Sequence, residues 1–173
     1  MKTQIVLSVI VLFWLAAAVF AQKQSAAEVV QEFYNAYNAT DKTFNRAGVN
    51  ARKKWLTENL YRLFVEELRR EEEFLKKNPT DKPHYGDGFP LHPLEECAVG
   101  KNSYPNIFRV QAADVAADAA TVEVKFYKPQ QCGGGYLTSY RVKLVKSGSK
   151  WLIDDFVFDD GTTLRADLTR KDY

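Results

Sequence analysis

The chain has 173 residues with 24 basic and 22 acidic side chains, so its formal net charge is only +2. Recognition of nucleic acid or of an acidic membrane surface needs a clustered field of basic residues, and this even balance argues against both partners. Residues 22–173, which follow an apolar start, are enough for one domain with a sizeable hydrophobic core.

Residues 1–21 have the pattern of a secretory signal peptide. Lys2 gives a basic start, residues 5–20 are almost wholly apolar, and Val19 and Ala21 are small residues at the two positions that a signal peptidase reads. We predict cleavage after Ala21, which leaves residues 22–173 as one exported domain, periplasmic or secreted, with no stable membrane anchor. An uncleaved anchor is the alternative, because the apolar run is close to the shortest length that spans a membrane.

Helical spacing of apolar residues marks the front half of the exported region. A capping box at Ser25 begins a predicted first helix over residues 25–39, and a short basic helix is predicted over residues 48–55. Thr57 is the predicted N-cap of a long helix that ends before Pro79.

The hydrophobic period then changes to two, which is typical of strands. We predict four strands, over residues 106–112, 121–127, 136–146 and 150–158. A short final helix is predicted over residues 162–170. Helices followed by an antiparallel meander indicate an α+β domain, with N-terminal helices packed on a curved antiparallel sheet of about four strands.

Five segments of the chain support a resemblance to a known family. They are Phe33-Tyr34-Asn35-Ala36-Tyr37, Trp55-Leu56-Thr57 before Leu60-Tyr61-Arg62-Leu63, Gly86-Asp87-Gly88-Phe89, Ala119-Ala120-Thr121-Val122-Glu123-Val124 and Trp151-Leu152-Ile153-Asp154-Asp155. In this order they resemble the domain of unknown function 3828 family, within the nuclear transport factor 2-like (ketosteroid-isomerase-like) superfamily, which more often has proline at the position of Gly88. The resemblance implies a cone in which a bent sheet and helices enclose a pocket, often in dimers. It implies no activity, because the superfamily includes isomerases, hydrolases, dehydratases and non-enzymatic binders.

The two cysteines of the chain are Cys97 and Cys132. Two thiols in an exported protein most often form one disulfide, so we predict a bond between them. A metal or redox role is the alternative, and their wide separation without a C-x-x-C motif argues against it.

The loop over residues 82–93 holds both histidines of the chain among prolines and glycines. Such loops often position binding side chains, so we predict His84, Tyr85 and Asp87 as ligand-binding residues. A zinc-like site at His84, Asp87 and His92 is the alternative, but the loop gives no regular ligand spacing. We therefore expect no metal and no cofactor, with both histidines at the surface. The charged residues 69–77 of the preceding helix are interpreted as a solvated face.

Asp155 is a further candidate, because strict alternation places it on one face of the last strand with the apolar Trp151 and Ile153. Burial disfavours a charged carboxylate, so such an acid could serve in acid–base chemistry. A β-bulge that turns Asp154 and Asp155 outward, or an ion pair with Arg141, is the simpler interpretation.

Tyr140, Trp151 and Asp155 complete the predicted ligand-binding set, because a cone pocket would be lined by aromatic rings. No catalytic residue is assigned. The leading hypothesis is an exported, non-catalytic domain that binds an unknown small molecule or protein partner at the cone pocket or mouth. The alternatives are a small isomerase- or hydrolase-like enzyme that uses Asp155 or Asp87 as its acid, and a module that forms a homodimer through the sheet face of residues 136–158.

Overall fold

A computed structural model describes residues 24–39, 43–93 and 97–170, so the predicted signal peptide lies outside the described residues. The helices are α1 (Ala26–Ala39), α2 (Arg46–Arg52), α3 (Glu58–Lys77) and α4 (Leu164–Thr169), with 3-10 turns at Lys53–Trp55 and Gln130–Cys132. The strands are β1 (Cys97–Val99), β2 (Asn102–Tyr104), β3 (Ile107–Ala116), β4 (Ala119–Tyr127), β5 (Tyr136–Ser147) and β6 (Lys150–Val157). The predicted α+β fold class is confirmed.

Side-chain caps fix where the helices begin. The Glu28 carboxylate accepts the Ser25 backbone N–H at 2.7 Å while the Ser25 hydroxyl accepts the Glu28 N–H at 3.3 Å, so the predicted capping box is confirmed. The Thr57 hydroxyl accepts the Leu60 N–H at 3.2 Å and begins α3 where the sequence predicted it. Asn45 accepts the Gly48 N–H at 2.7 Å, which starts α2 slightly earlier than predicted.

The main sheet is antiparallel, in the order β3-β4-β5-β6. Its two edges differ. Isolated bridges from Leu56 to Ile153 and from Thr163 to Val157 cover the β6 edge, whereas the described part of the chain places no strand beside the outer edge of β3. A separate hairpin of β1 and β2 was not predicted, because three-residue strands are too short to show a period of two.

Aromatic side chains fill the space between α1 and the sheet. Helix α1 packs across β3, β4 and β6, and Phe33 and Tyr34 of this helix are both 0% exposed. The Tyr34 ring lies 5.6 Å from that of Phe126 on β4, and the Phe33 ring lies 5.7 Å from that of Phe156 on β6. The concave face of the sheet is therefore packed core along α1, and a binding site has to be sought at its margins.

The predicted disulfide and the predicted export of the chain both remain predictions. The backbone of β1 lies against the 3-10 turn that contains Cys132, which suits the predicted disulfide, but the side chain of Cys97 is outside the described residues. Within the described ranges, no helix combines the length and the apolar character needed to span a membrane.

Candidate functional site: a buried charged cluster beside a surface depression

Three separate parts of the chain meet in a group of polar side chains that we call the junction cluster. Helix α3 contributes Glu67 and Glu71, the loop after it contributes His84 and Tyr85, and α4 contributes Asp167. Glu67 is 0% exposed and Glu71 is 6% exposed. Because burying a carboxylate is costly unless it is paired and hydrogen-bonded, the partners of these two acids define the cluster.

Glu67 is held by a histidine on one side and an arginine on the other. His84 Nδ1 lies 3.1 Å from Glu67 Oε1, and its Nε2 lies 3.5 Å from Asp167 Oδ2. The Arg70 guanidinium donates to the other oxygen of Glu67 and to the Leu168 carbonyl of α4. These bonds satisfy the buried charge of Glu67 and at the same time attach α4 to α3.

Glu71 lies one turn further along α3 and accepts the backbone N–H of Tyr85 at 2.5 Å. Burial raises the pKa of Glu71. The nearby Glu67 carboxylate adds to this rise in pKa, whereas the Tyr85 N–H and His84 both oppose the rise. The net result is a carboxyl group that retains its proton to a higher pH than an exposed glutamic acid does.

Asp167 connects the junction cluster to the surface. Its carboxylate accepts the Tyr85 hydroxyl and forms an ion pair with Arg170. Asp167 and Arg170 also line a surface depression with a volume of about 410 Å³. The residues that line this depression are Phe158, Asp160, Thr162, Thr163, Ala166, Asp167 and Arg170. We call it the α4 depression.

Of the loop residues predicted to bind a ligand, His84 and Tyr85 lie behind the α4 depression, and Asp87 lies apart from it. The Asp87 carboxylate is exposed and forms an ion pair with Lys82. The expected surface position of the histidines is wrong. His92 is 5% exposed and stacks on Tyr37, with ring centroids 5.7 Å apart, and the His84 side chain is only 19% exposed.

The alternative metal site at His84, Asp87 and His92 is not assembled. The ring nitrogens of His84 face Glu67 and Asp167, whereas Nδ1 of His92 lies 3.0 Å from the Pro93 carbonyl oxygen. Among the described residues, no group of three or more histidine, cysteine, aspartate or glutamate side chains is placed to hold a metal ion.

Asp155 lies in a β-bulge, but the bulge does not turn it outward. Lys143 pairs with Asp155 and Leu144 pairs with Ile153, so Asp154 is the extra residue. Asp155 is 6% exposed, and its Oδ1 accepts the backbone N–H of Phe156 at 2.9 Å and of Arg165 at 3.0 Å. For Asp155 the outward position and the ion pair with Arg141 are therefore both wrong, whereas the Asp154 side chain is 31% exposed.

These contacts of Asp155 and Asp154 join β6 to the starts of two helices. Asp154 Oδ1 accepts the Thr57 hydroxyl at 2.9 Å, and the Arg165 guanidinium donates to the same carboxylate and to the Asp154 carbonyl. Arg165 is in the first turn of α4, and Thr57 is the N-cap of α3. The two acids consequently act as structural connectors, and neither carboxylate is directed into the α4 depression.

The two aromatic candidates lie at different ends of the sheet. Tyr140 packs between Phe126 and Phe158, with ring centroids 5.0 and 5.1 Å away. Burial raises the pKa of Tyr140 to about 12, and the Asp159 carboxylate adds to the rise. Because Phe158 lines the α4 depression, Tyr140 lies one ring behind it. Trp151 is beside the β5–β6 turn, where the Lys146 ammonium lies 5.4 Å from its ring.

Glu67 and Asp167 were not among the predicted site residues, and the interpretation of Glu71 as solvated is wrong. One signal was available. Leu60, Phe64, Glu67 and Glu71 recur at spacings of four, three and four, which places both acids on the apolar face of α3. Nothing comparable indicates Asp167, because its partners within the cluster, His84 and Tyr85, come from a distant part of the chain.

Comparison with known proteins adds no relative, since no protein-family model, no curated protein and no solved structure matches this chain.

Proposed function

We propose that the chain is an exported, non-catalytic domain that binds a small polar ligand in the α4 depression. The observation that carries the proposal is the depression itself, about 410 Å³ in volume, with Asp167 in its wall. Sites for small molecules are concave and combine an apolar surface with a few well-held polar groups. Asp167 is such a group, because Tyr85 and Arg170 fix its carboxylate from two sides.

The charges around the depression favour a ligand with an amino or other cationic group. Its lining includes two carboxylates, Asp160 and Asp167, against one guanidinium, Arg170. Hydrogen bonds from Thr162 lower the pKa of Asp160, so this carboxylate is ionised at neutral pH. The Phe158 ring offers an apolar surface on which a sugar or aliphatic chain can pack. We infer an amine-bearing small molecule, such as an amino sugar or a polyamine.

The test is a thermal-shift screen of the purified protein with glucosamine, spermidine and arginine, against glucose and acetate as uncharged and anionic controls. We expect an amine to raise the melting temperature, and we expect Asp160→Asn to remove the shift. Asn keeps the turn contact to Thr162 but not the charge. Asp159→Asn is the matched control, because Asp159 bonds to Thr138 instead of lining the depression. Equal shifts in both variants would contradict the proposed site.

The family resemblance, the export signal and the Cys97–Cys132 disulfide belong to the same proposal. The α+β class is the architecture that the resemblance implies, and the disulfide is proposed because β1 lies against the turn of Cys132. Intact mass of the exported protein without reductant tests the bond, and two free thiols would contradict it. Export is tested by the N-terminal residue of the secreted protein, which we expect to be Gln22.

The alternatives have less support. For an acid–base enzyme, Asp155 is engaged by backbone N–H groups and Asp87 by Lys82. For dimerisation through the face of β5 and β6, Arg141 and Lys143 place exposed charges where an apolar surface is needed.

A further inference from the structure

Strand β3 is an edge of the sheet. It has ten residues, and within the described part of the chain its only neighbour is β4. An edge strand presents a row of unpaired backbone N–H and C=O groups, and proteins commonly protect it with proline, charged side chains, a bulge or a short length. β3 contains a bulge and the charged Arg109 and Asp114, but it has no proline or lysine and exposes Ile107 at 47% and Val115 at 53%.

A bulge in the middle of β3 makes the order of outer-facing and concave-facing side chains symmetric about the centre of the strand. Gln111 and Ala112 form the bulge, because the pairing with β4 skips from Val110 to Ala113. Side chains alternate on either side of it, so the order of outer and concave positions is the same from both ends. The outer positions are Ile107, Arg109, Asp114 and Ala116, and the concave positions are Phe108, Val110, Ala113 and Val115.

We propose that β3 pairs with β3 of a second copy of this chain, antiparallel, and that the two sheets join edge to edge in a dimer. The two-fold axis passes between the two β3 strands, at a level midway between Gln111 and Ala112 of each copy. In this register every outer position faces an outer position and every concave position faces a concave one. Arg109 of each copy then lies opposite Asp114 of the other, which gives two identical pairs of opposite charge.

Charge and packing select this register over its neighbours. If one strand shifts by two residues in either direction, outer positions still face outer positions. Arg109 of one copy then lies opposite an alanine of the other, either Ala112 or Ala116. A shift by one residue places outer side chains against concave ones. Neither Arg109 nor Asp114 forms an ion pair with another described residue of its own chain, and the Arg109 guanidinium rests over the Tyr127 ring at 4.9 Å. Both charges are thus available to a partner.

The chosen register also covers the exposed aliphatic side chains. Val115 of one copy comes to lie beside Phe108 of the other, and Ile107 beside Ala116. A partner of different sequence would have to reproduce this order of charges and faces, whereas a second copy supplies it by symmetry. The β6 edge offers no equivalent surface, because bridges to Leu56 and Thr163 already occupy it.

The test is sedimentation of the purified protein over a range of concentrations, for the wild type and three variants. Arg109→Asp and Asp114→Arg each turn both opposite-charge pairs into like-charge pairs, and we expect each to weaken the dimer about tenfold or more. The double variant Arg109→Asp/Asp114→Arg exchanges the two charges and restores pairing. Lys150→Asp, which makes the same charge change at the β5–β6 turn, is the control and leaves the dimer unchanged.

Hydrogen exchange locates the interface independently of these variants. We expect amides of residues 107–116 to become more protected as protein concentration rises, with little change elsewhere. A wild-type protein that stays monomeric at all concentrations would overturn the proposal. So would a dimer that resists both single variants, a double variant that fails to recover, or protection that appears only on the face of β5 and β6.

Discussion

The buried carboxylate of Asp155 provides the sharpest test of how this fold is held together. In the variant Asp155→Ala, the backbone N–H groups of Phe156 and Arg165 lose the acceptor that now lies 2.9 and 3.0 Å away. A hydrogen bond to a charged group contributes roughly 1.5–3 kcal/mol, and a buried donor without a partner adds a penalty. We therefore expect the variant to lose about 3 kcal/mol of unfolding free energy.

The isosteric variant Asp155→Asn separates the hydrogen bonds from the charge. Its side-chain oxygen can accept the same two N–H groups, so only the attraction between a negative charge and the start of α4 is lost, roughly 0.5–1 kcal/mol. Asp87→Ala serves as the control, because the Asp87 side chain is 64% exposed and its ion pair with Lys82 is at the surface. Such pairs contribute roughly 0–1 kcal/mol.

Urea unfolding followed by tryptophan fluorescence measures all three variants. For a domain of this size, 1 kcal/mol corresponds to roughly 2–4 °C in melting temperature, so thermal melts should show Asp155→Ala about 6–12 °C below the wild type. A loss for Asp155→Ala no larger than that for Asp87→Ala would refute the structural role. Equal losses for Asp155→Ala and Asp155→Asn would show that the charge, rather than the two hydrogen bonds, holds β6 to α4.

Two further predictions concern buried polar groups. Burial raises the pKa of Glu71 above its ordinary value of 4.5. Above pH 4.5 the folded protein therefore holds this proton more tightly than the unfolded chain does. The resulting stability is lost as the pH rises from 4.5 through the folded-state pKa. Glu71→Gln should therefore gain stability relative to the wild type between pH 4 and pH 7 in urea melts, and the exposed control Glu72→Gln should show no such trend. The buried Tyr34 hydroxyl has no hydrogen-bond partner among the described residues. Tyr34→Phe should stabilise the protein by about 1 kcal/mol in the same assay, and a loss of stability would contradict this account.

The elements of this fold were largely predictable because their signals are local. Helix caps at Ser25 and Thr57 and the alternation of Val122, Val124 and Phe126 act within a few residues, and the structure places the corresponding helices and strand close to the predicted bounds. The β1–β2 hairpin was missed because its strands are shorter than two periods of alternation.

The junction cluster was less predictable because it depends on pairing between distant residues. Acids such as Glu67 and Glu71 belong at the surface by default, and their burial becomes acceptable only when His84 and the Tyr85 N–H arrive from the loop that follows the helix. Asp155 shows the same limit. The bulge was anticipated, but the direction of the carboxylate depends on the N–H of Arg165, which comes from a helix that follows later in the chain.

Helix α4 has only six residues, too few to form a stable helix in isolation. Its attachments come from the Asp155 carboxylate, the Arg70 guanidinium and the Tyr85 hydroxyl, which belong to a strand, a helix and a loop that must already be in place. The helix thus depends on the rest of the fold for its stability, and a local opening of α4 would undo the α4 depression while leaving the sheet intact. Amide exchange that is faster in residues 164–169 than in β5 would report this opening directly, and a ligand in the depression would slow it.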